Sequence, residues 1–327
     1  MNVEHYLRLV ARAFVLFSLT FLSLPGIAQV IGPSVPYKSP GQQSQEALSP
    51  IEVDVDMVLV DVAVIGADGS PVTGLEKGSF RAFEDGVEQE ILSFSSEDVP
   101  ISIGLIFDMS GSMSDKLDES RQAALEFLKA ANPRDEFFLV SFGDRAELTS
   151  PFTFDNEELK ERMMSVKPKG ATALLDAIYL GLNQMRSARN SKHALLVISD
   201  GGDNHSRYNE TRIRNALKEA DCSLYAIGIF RVEDMWRTYA EHHGPALLSE
   251  LAEITGGRMF PVSKLDDLPE IAARIGMELR NRYVLGYTPS NARRDGAWRR
   301  IKVKVVPPAN LVPLNVYART GYYNLID

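Results

Sequence analysis

The chain has 327 residues, 45% of them hydrophobic and 24% charged, which is enough material for two modest domains and argues against wholesale disorder. A formal net charge of -9 and a pI of about 5.2 argue against a generic binder of phosphate backbones, which needs a basic surface to release counterions. With one cysteine, Cys222, an intrachain disulfide is impossible. Placed just before the apolar run Leu224 to Phe230, that residue reads as a small buried hydrophobe at a strand start.

Arg8 and Arg12 precede an apolar run from Ala13 to Leu24, and Pro25 and the small residues Gly26 and Ala28 follow it. This is the pattern of a signal peptide (1–28) cleaved after Ala28, because the run is shorter than the roughly 20 residues that span a bilayer. The mature protein is therefore expected to be exported, periplasmic or secreted, with no transmembrane segment. Residues 29–50, rich in Pro, Ser, Gly and Gln, read as a flexible tether. A β segment, 51–98, follows: partial alternation from Val53 to Val64, a turn at Asp68-Gly69, a second strand at Phe80 to Gly86 and a third from Glu90 to Phe94, with no helix.

From Ile101 the pattern changes. Ser102 to Phe107 is the near-continuous apolar run that a sheet covered on both faces requires, and an amphipathic helix with Leu117, Ala124, Leu125 and Leu128 follows. Strands at Phe137 to Phe142, Ala194 to Ser199, Ser223 to Phe230 and Met259 alternate with helices at Glu157 to Val166, Ala173 to Ser187, Thr211 to Ala220 and Ala246 to Ile254. A last helix carries Leu268, Ile271, Ala272, Ile275 and Leu279 on one face. Residues 99–280 thus read as an α/β domain with a doubly wound, mostly parallel sheet. The C-terminal segment, 281–327, returns to strands at Tyr283 to Tyr287, Arg299 to Val306 and Val316 to Arg319, separated by turns at Pro289, Gly296 and Pro307-Pro308. Neither β segment is large enough for its own core, so the two are expected to form one small β-sandwich into which the α/β domain is inserted.

The chemistry concentrates in Asp108-Met109-Ser110-Gly111-Ser112, where a buried strand gives way to a helix; in open α/β sheets ligands bind at this carboxyl edge. A hard cation needs oxygen ligands, and Asp108, Ser110 and Ser112 offer three on a loop that Gly111 allows to turn tightly. Thr172, in the loop preceding a helix, and Asp200, in Ser199-Asp200-Gly201 after another buried strand, project from the same edge. Ser114 reads as a helix cap, and Asp203 and Asn204 as a solvated loop, with support of the neighbouring ligands as the alternative.

The D-x-S-x-S sequence at Asp108, Ser110 and Ser112, with Thr172 and the S-D-G at Asp200, closely resembles the metal-ion-dependent adhesion site of von Willebrand factor type A domains, with all five positions occupied by the expected residue types. The resemblance covers residues 101 to about 280 and implies a Rossmann-like fold. It also implies a divalent ion (Mg²⁺ by default, Mn²⁺ or Ca²⁺ as substitutes) held by Asp108, Ser110, Ser112, Thr172 and Asp200, and a protein partner that supplies a carboxylate to that ion. In the same family the last helix can slide when an acidic ligand engages the metal, and here that helix runs straight into the C-terminal β segment. The flanking F-x-x-F-E-D-G (Phe80, Phe83 to Gly86) and L-G-Y-T-P (Leu285 to Pro289) resemble exported bacterial proteins termed VWFA-related, known largely from Acidobacteria.

Two other functions compete with metal-dependent adhesion. A structural envelope protein whose metal only stiffens loops is not separated from it by sequence. A metal-dependent hydrolase would need a positioned base, and of five histidines only His205 lies near a candidate ligand in sequence; His242 and His243 read as part of an exposed polar loop. H-E-x-x-H, G-x-S-x-G and G-x-x-x-x-G-K-[ST] are all missing, so the chain reads as a non-enzyme. The basic set Arg293, Arg294, Arg299, Arg300, Lys302 and Lys304 alternates along a strand and reads as a solvated face rather than a nucleic-acid surface.

Overall fold

A computed structural model describes residues 57–306, apart from 97, 231–238 and 263, together with 314–324. The expected signal peptide, tether, start of the first strand and Pro307-Pro308 turn lie outside the described residues. No described helix is long and apolar enough to cross a membrane.

The central sheet is built on β5 (Ile101–Asp108), which runs parallel to β6 (Glu136–Phe142) on one side and β8 (Lys192–Ser199) on the other. Beyond β8 lie β9 (Ser223–Ile229) and β10 (Met259–Val262), both parallel; beyond β6 lies β7 (Ala146–Thr153), the one antiparallel member. The order is β10-β9-β8-β5-β6-β7. All residues of β5, β6 and β9 are buried, because helices cover both faces. Alternate residues serve opposite layers. Ile103, Leu105 and Phe107 pack with α1 (Leu117–Lys129), α2 (Asn156–Ser165) and α6 (Leu268–Arg280). Ile106 packs with α3 (Leu174–Met185), α4 (Glu210–Glu219) and, through Leu248 and Leu251, α5 (Tyr239–Ile254). Because the chain leaves β5 toward β6 and later returns to its other flank at β8, the carboxyl end of β5 is the topological switch point of the sheet.

Strands from the two ends of the sequence share two further antiparallel sheets. One is ordered β13-β1-β11-β4, from β1 (Val58–Ile65), β4 (Ile91–Ser95), β11 (Tyr283–Tyr287) and β13 (Asn315–Ala318). The other is ordered β14-β12-β2-β3, from β2 (Phe80–Glu84), β3 (Val87–Gln89), β12 (Trp298–Val305) and β14 (Gly321–Tyr323). Val60, Val62, Phe80, Leu285, Ile301 and Val303 meet in one apolar cluster between them. Within it the buried Glu84 accepts hydrogen bonds from the hydroxyls of Tyr287 and Tyr322, each 2.9 Å away. Where α6 passes into β11, Arg282 is 2% exposed and donates to Tyr225 Oη (2.7 Å) and to the carbonyls of Gly256 and Asp61 (3.2 Å each). Tyr225 donates in turn to Glu278, which Arg258 pairs at 2.7 Å, so the end of α6, strand β9 and strand β1 share one polar network.

Several expectations are corrected. A short 3-10 turn, Lys77–Ser79, interrupts the first β segment, and strands β3, β7 and β14 lie where no strand was expected. β7 escaped notice because it is a half-exposed edge strand containing Pro151, and Pro is tolerated only at such edges. Helix α5 begins at Tyr239, with Pro245 inside it, so His242 and His243 belong to a helix and not to a loop. Arg299 is not part of a solvated face: it is 6% exposed and pairs with Asp295 at 2.8 Å, whereas Arg300, Lys302 and Lys304 do face outward.

Gly104 sits mid-strand in β5, where an added Cβ would lie 2.2 Å from the Phe138 ring and 2.6 Å from Leu195. Gly104→Ala is expected to destabilise the domain by about 1–3 kcal/mol through overpacking. Urea denaturation measures this, and an unchanged midpoint would mean the two side chains move aside freely.

Candidate metal centre

Asp108 is the last residue of β5 and is fully buried. Its Oδ1 accepts from Ser110 N (2.9 Å) and its Oδ2 from Ser199 Oγ (2.5 Å). The chain then turns through a 3-10 segment, Gly111–Met113, that brings the hydroxyls of Ser110 and Ser112 to 3.1 Å of each other. Gly111 N donates to Gly170 O at 2.9 Å, tying this turn to the loop that carries Thr172. Thr172 is 3% exposed; its N–H donates to Asn204 Oδ1 (2.9 Å), and its carbonyl accepts from the N–H groups of Asn204 and His205 (3.0 Å each). Asp200 follows β8 and is also 3% exposed, its Oδ1 accepting from Gly202 N at 3.3 Å. Helix α5 abuts this loop through Gly244: an added Cβ there would lie 2.5 Å from Asp200 O, and one on Gly201 would lie 2.5 Å from Gly244 O. Backbone and side-chain bonds thus gather the three loops bearing Asp108, Ser110, Ser112, Thr172 and Asp200 at one sheet edge.

The electrostatics of this edge are set by burial. Desolvation first, and the charge of Asp200 second, push the Asp108 carboxyl up to about 7, against the opposing hydrogen bonds from Ser110 and Ser199. A residue the motif reading passed over answers part of this charge. Lys116, 1% exposed at the N-cap of α1, places its Nζ 3.1 Å from Asp200 Oδ2. Its signal in the sequence is a lysine at the start of a helix, one position before the apolar stripe begins; only the fold reveals that it points inward.

The neighbouring polar residues also differ from expectation. Ser114 does not cap α1; its hydroxyl donates to Gly111 O at 2.7 Å and closes the 3-10 turn. Asp203 and Asn204 are built into the support of the Thr172 loop, Asn204 as above and Asp203 by accepting from Leu175 N (3.3 Å) and Ser206 Oγ (2.6 Å), with burial raising its carboxyl. Asp176 anchors the same region by accepting from the N–H groups of Arg207 and Tyr208 and from Arg207 Nε. His205 is exposed.

The mostly parallel sheet with helices on both faces, and carboxylates and hydroxyls at its switch point, is a von Willebrand factor type A-like α/β fold. Residues 103–202, which include all five candidate ligands, match the family model described as von Willebrand factor type A domain, so the chain contains such a domain, commonly an adhesion or protein-interaction module. Among curated relatives, an uncharacterized protein of Borreliella burgdorferi is 25% identical over 183 residues, covering 49% of this chain and 53% of that protein. Inter-alpha-trypsin inhibitor heavy chain H4 of Bos taurus is 23% identical over 146 residues, covering 40% of this chain and 16% of that protein. The matches therefore span about half of the first relative and a small part of the second. Among solved structures, a von Willebrand factor type A protein from Catenulispora acidiphila aligns with a TM-score of 0.47 and 11% identity over 81% of this chain and 74% of that one. The vWF domain of the type V pili tip protein Mfa5 from Porphyromonas gingivalis aligns with a TM-score of 0.45 and 13% identity over 55% and 94% respectively.

Lys116→Met removes a buried countercharge and leaves Asp200 beside Asp108 without it. In chelator, this variant is expected to lose about 3 kcal/mol of unfolding free energy in urea. Equal stability of the two proteins would show that the ammonium does not offset the carboxylates.

Proposed function

We propose that the chain is a metal-dependent protein-binding module, in which Asp108, Ser110, Ser112, Thr172 and Asp200 hold one divalent cation that accepts a carboxylate from a partner protein. The observation that carries this reading is the burial of two mutually repelling carboxylates among hydroxyls at the sheet's switch point, with Asp108 pushed up to about 7. Such a cluster costs stability unless a cation offsets it, and hard oxygen donors suit Mg²⁺ best, with Mn²⁺ or Ca²⁺ as substitutes.

The ion supplies Lewis acidity and a point of attraction for an outside carboxylate. The protein's own residues set how strong that attraction is. Lys116 neutralises part of Asp200, so a divalent ion held there would face less negative charge than two carboxylates alone present and would keep more of its pull on an anionic partner. Ser112 is half-buried and Gly111 exposed, which keeps one side of the turn open to a partner. The reading includes export, from the amino-terminal apolar run, and kinship with VWFA-related proteins, from the motifs at Phe80 to Gly86 and Leu285 to Pro289.

Asp108→Asn tests the assignment with little change of shape. Calorimetric titration is expected to show Mg²⁺ affinity falling at least roughly tenfold. The unfolding midpoint in chelator should stay the same or rise, because a carboxylate facing Asp200 has been removed. Undiminished Mg²⁺ binding by the variant would rule out Asp108 as a ligand.

A further inference from the structure

We infer that the partner is an acidic protein segment presenting a second carboxylate near the one at the metal, and that Arg145, Lys167 and Lys169 receive it. This rests on the proposed metal-dependent reading for the first carboxylate, but its own observations are separate. Beside the Asp108 turn lies a cavity of about 530 Å³ whose lining includes Met109 and these three cations. All three are exposed, and among the described residues none of their side chains makes an ion pair or hydrogen bond.

That isolation contrasts with the rest of the surface. Arg162, Arg214 and Arg274 are each paired with a glutamate at 2.6–2.7 Å, as an acidic chain readily allows. The acidic residues lining the cavity are Asp144, whose Oδ1 already accepts from Ala171 N at 2.7 Å, and the exposed Glu147. On the other side of Asp144 and Arg145, a second cavity of about 460 Å³ is lined by Asp176, His205 and Arg207, and there Arg207 is committed to Asp176 at 3.0 Å.

The three cations ride on the loops that build the metal centre. Lys169 N donates to Met109 O and Gly111 N to Gly170 O, both at 2.9 Å, and Ala173 N donates to Gly143 O at 2.9 Å. Their positions relative to Asp108, Ser110 and Thr172 are therefore fixed by backbone bonds, not by side-chain chance. A ligand with a single carboxylate would engage the ion alone. An acidic segment draped across the turn would also satisfy cations that otherwise have only water, gaining association rate and selectivity. The chain's net charge of -9 favours a short acidic segment meeting this local patch over a nucleic acid, which would meet repulsion elsewhere.

The test uses the full chain, the triple variant Arg145→Gln/Lys167→Gln/Lys169→Gln, and fluorescein-labelled poly-L-glutamate as probe, read by anisotropy in Mg²⁺ and in chelator. The wild type is expected to bind in a salt-sensitive manner. The triple variant should bind roughly tenfold more weakly with a shallower salt dependence. Its calorimetric Mg²⁺ affinity and thermal midpoint should match the wild type. Equal probe affinity of the two proteins, no probe binding by the wild type, or stronger wild-type binding to single-stranded DNA of similar charge would overturn the proposal. Binding that depends on Arg145, Lys167 and Lys169 but ignores chelator sinks only the metal reading, whereas chelator-sensitive binding that is unchanged in the triple variant sinks only this one.

Discussion

The structure is organised around a buried charge problem at the end of its central strand. Two carboxylates and an ammonium sit where the sheet reverses direction, each nearly inaccessible to water, and the surrounding backbone is committed to holding them. Asp108 spends both oxygens on the protein, Ser199 reaches across from the neighbouring strand, and Gly244 brings a helix backbone against the Asp200 loop. Such an arrangement is unfavourable for folding taken alone. The cost is carried by the sheet, every residue of β5 being buried and Ile101, Ile103, Leu105, Ile106 and Phe107 lying in its two apolar layers.

Much of this was legible in the chain, for reasons that can be named. Strands buried on both faces announce themselves as apolar runs, and the ligands fall at the ends of those runs because that is where an open α/β sheet places loops. What was not legible depended on direction and not on residue type. Lys116 looks like an ordinary helix-start lysine until the fold turns it toward Asp200, and Arg299 looks solvated until the pleat of β12 places it on the same buried face as Ile301 and Val303. Asn204 and Asp203 looked like loop polarity, yet their oxygens accept the amide hydrogens of Thr172 and Leu175. Edge strand β7 carries a proline and half-exposed residues, so periodicity alone gave no reason to place it in the sheet.

Composition likewise said little about how the β segments combine. Strands β1 and β11 pair over five residues although more than two hundred residues separate them in sequence, and Glu84 binds the hydroxyls of two tyrosines from the far end of the chain. Only the three-dimensional pairing shows that two partial sheets close one apolar cluster. Arg282 then links that sandwich to the α/β sheet through buried hydrogen bonds, so the two layers of architecture share a polar hinge-point made from Tyr225, Glu278 and the carbonyls of Asp61 and Gly256.

The pairing of Ser95 with Val284 has a mechanical meaning. The chain departs for the α/β domain from the end of β4 and returns at the start of β11, and these two points are neighbours in one sheet. A displacement of the α/β domain would therefore reach the sandwich along two adjacent strands moved the same way, with β11 held on its other side by five residue pairs to β1.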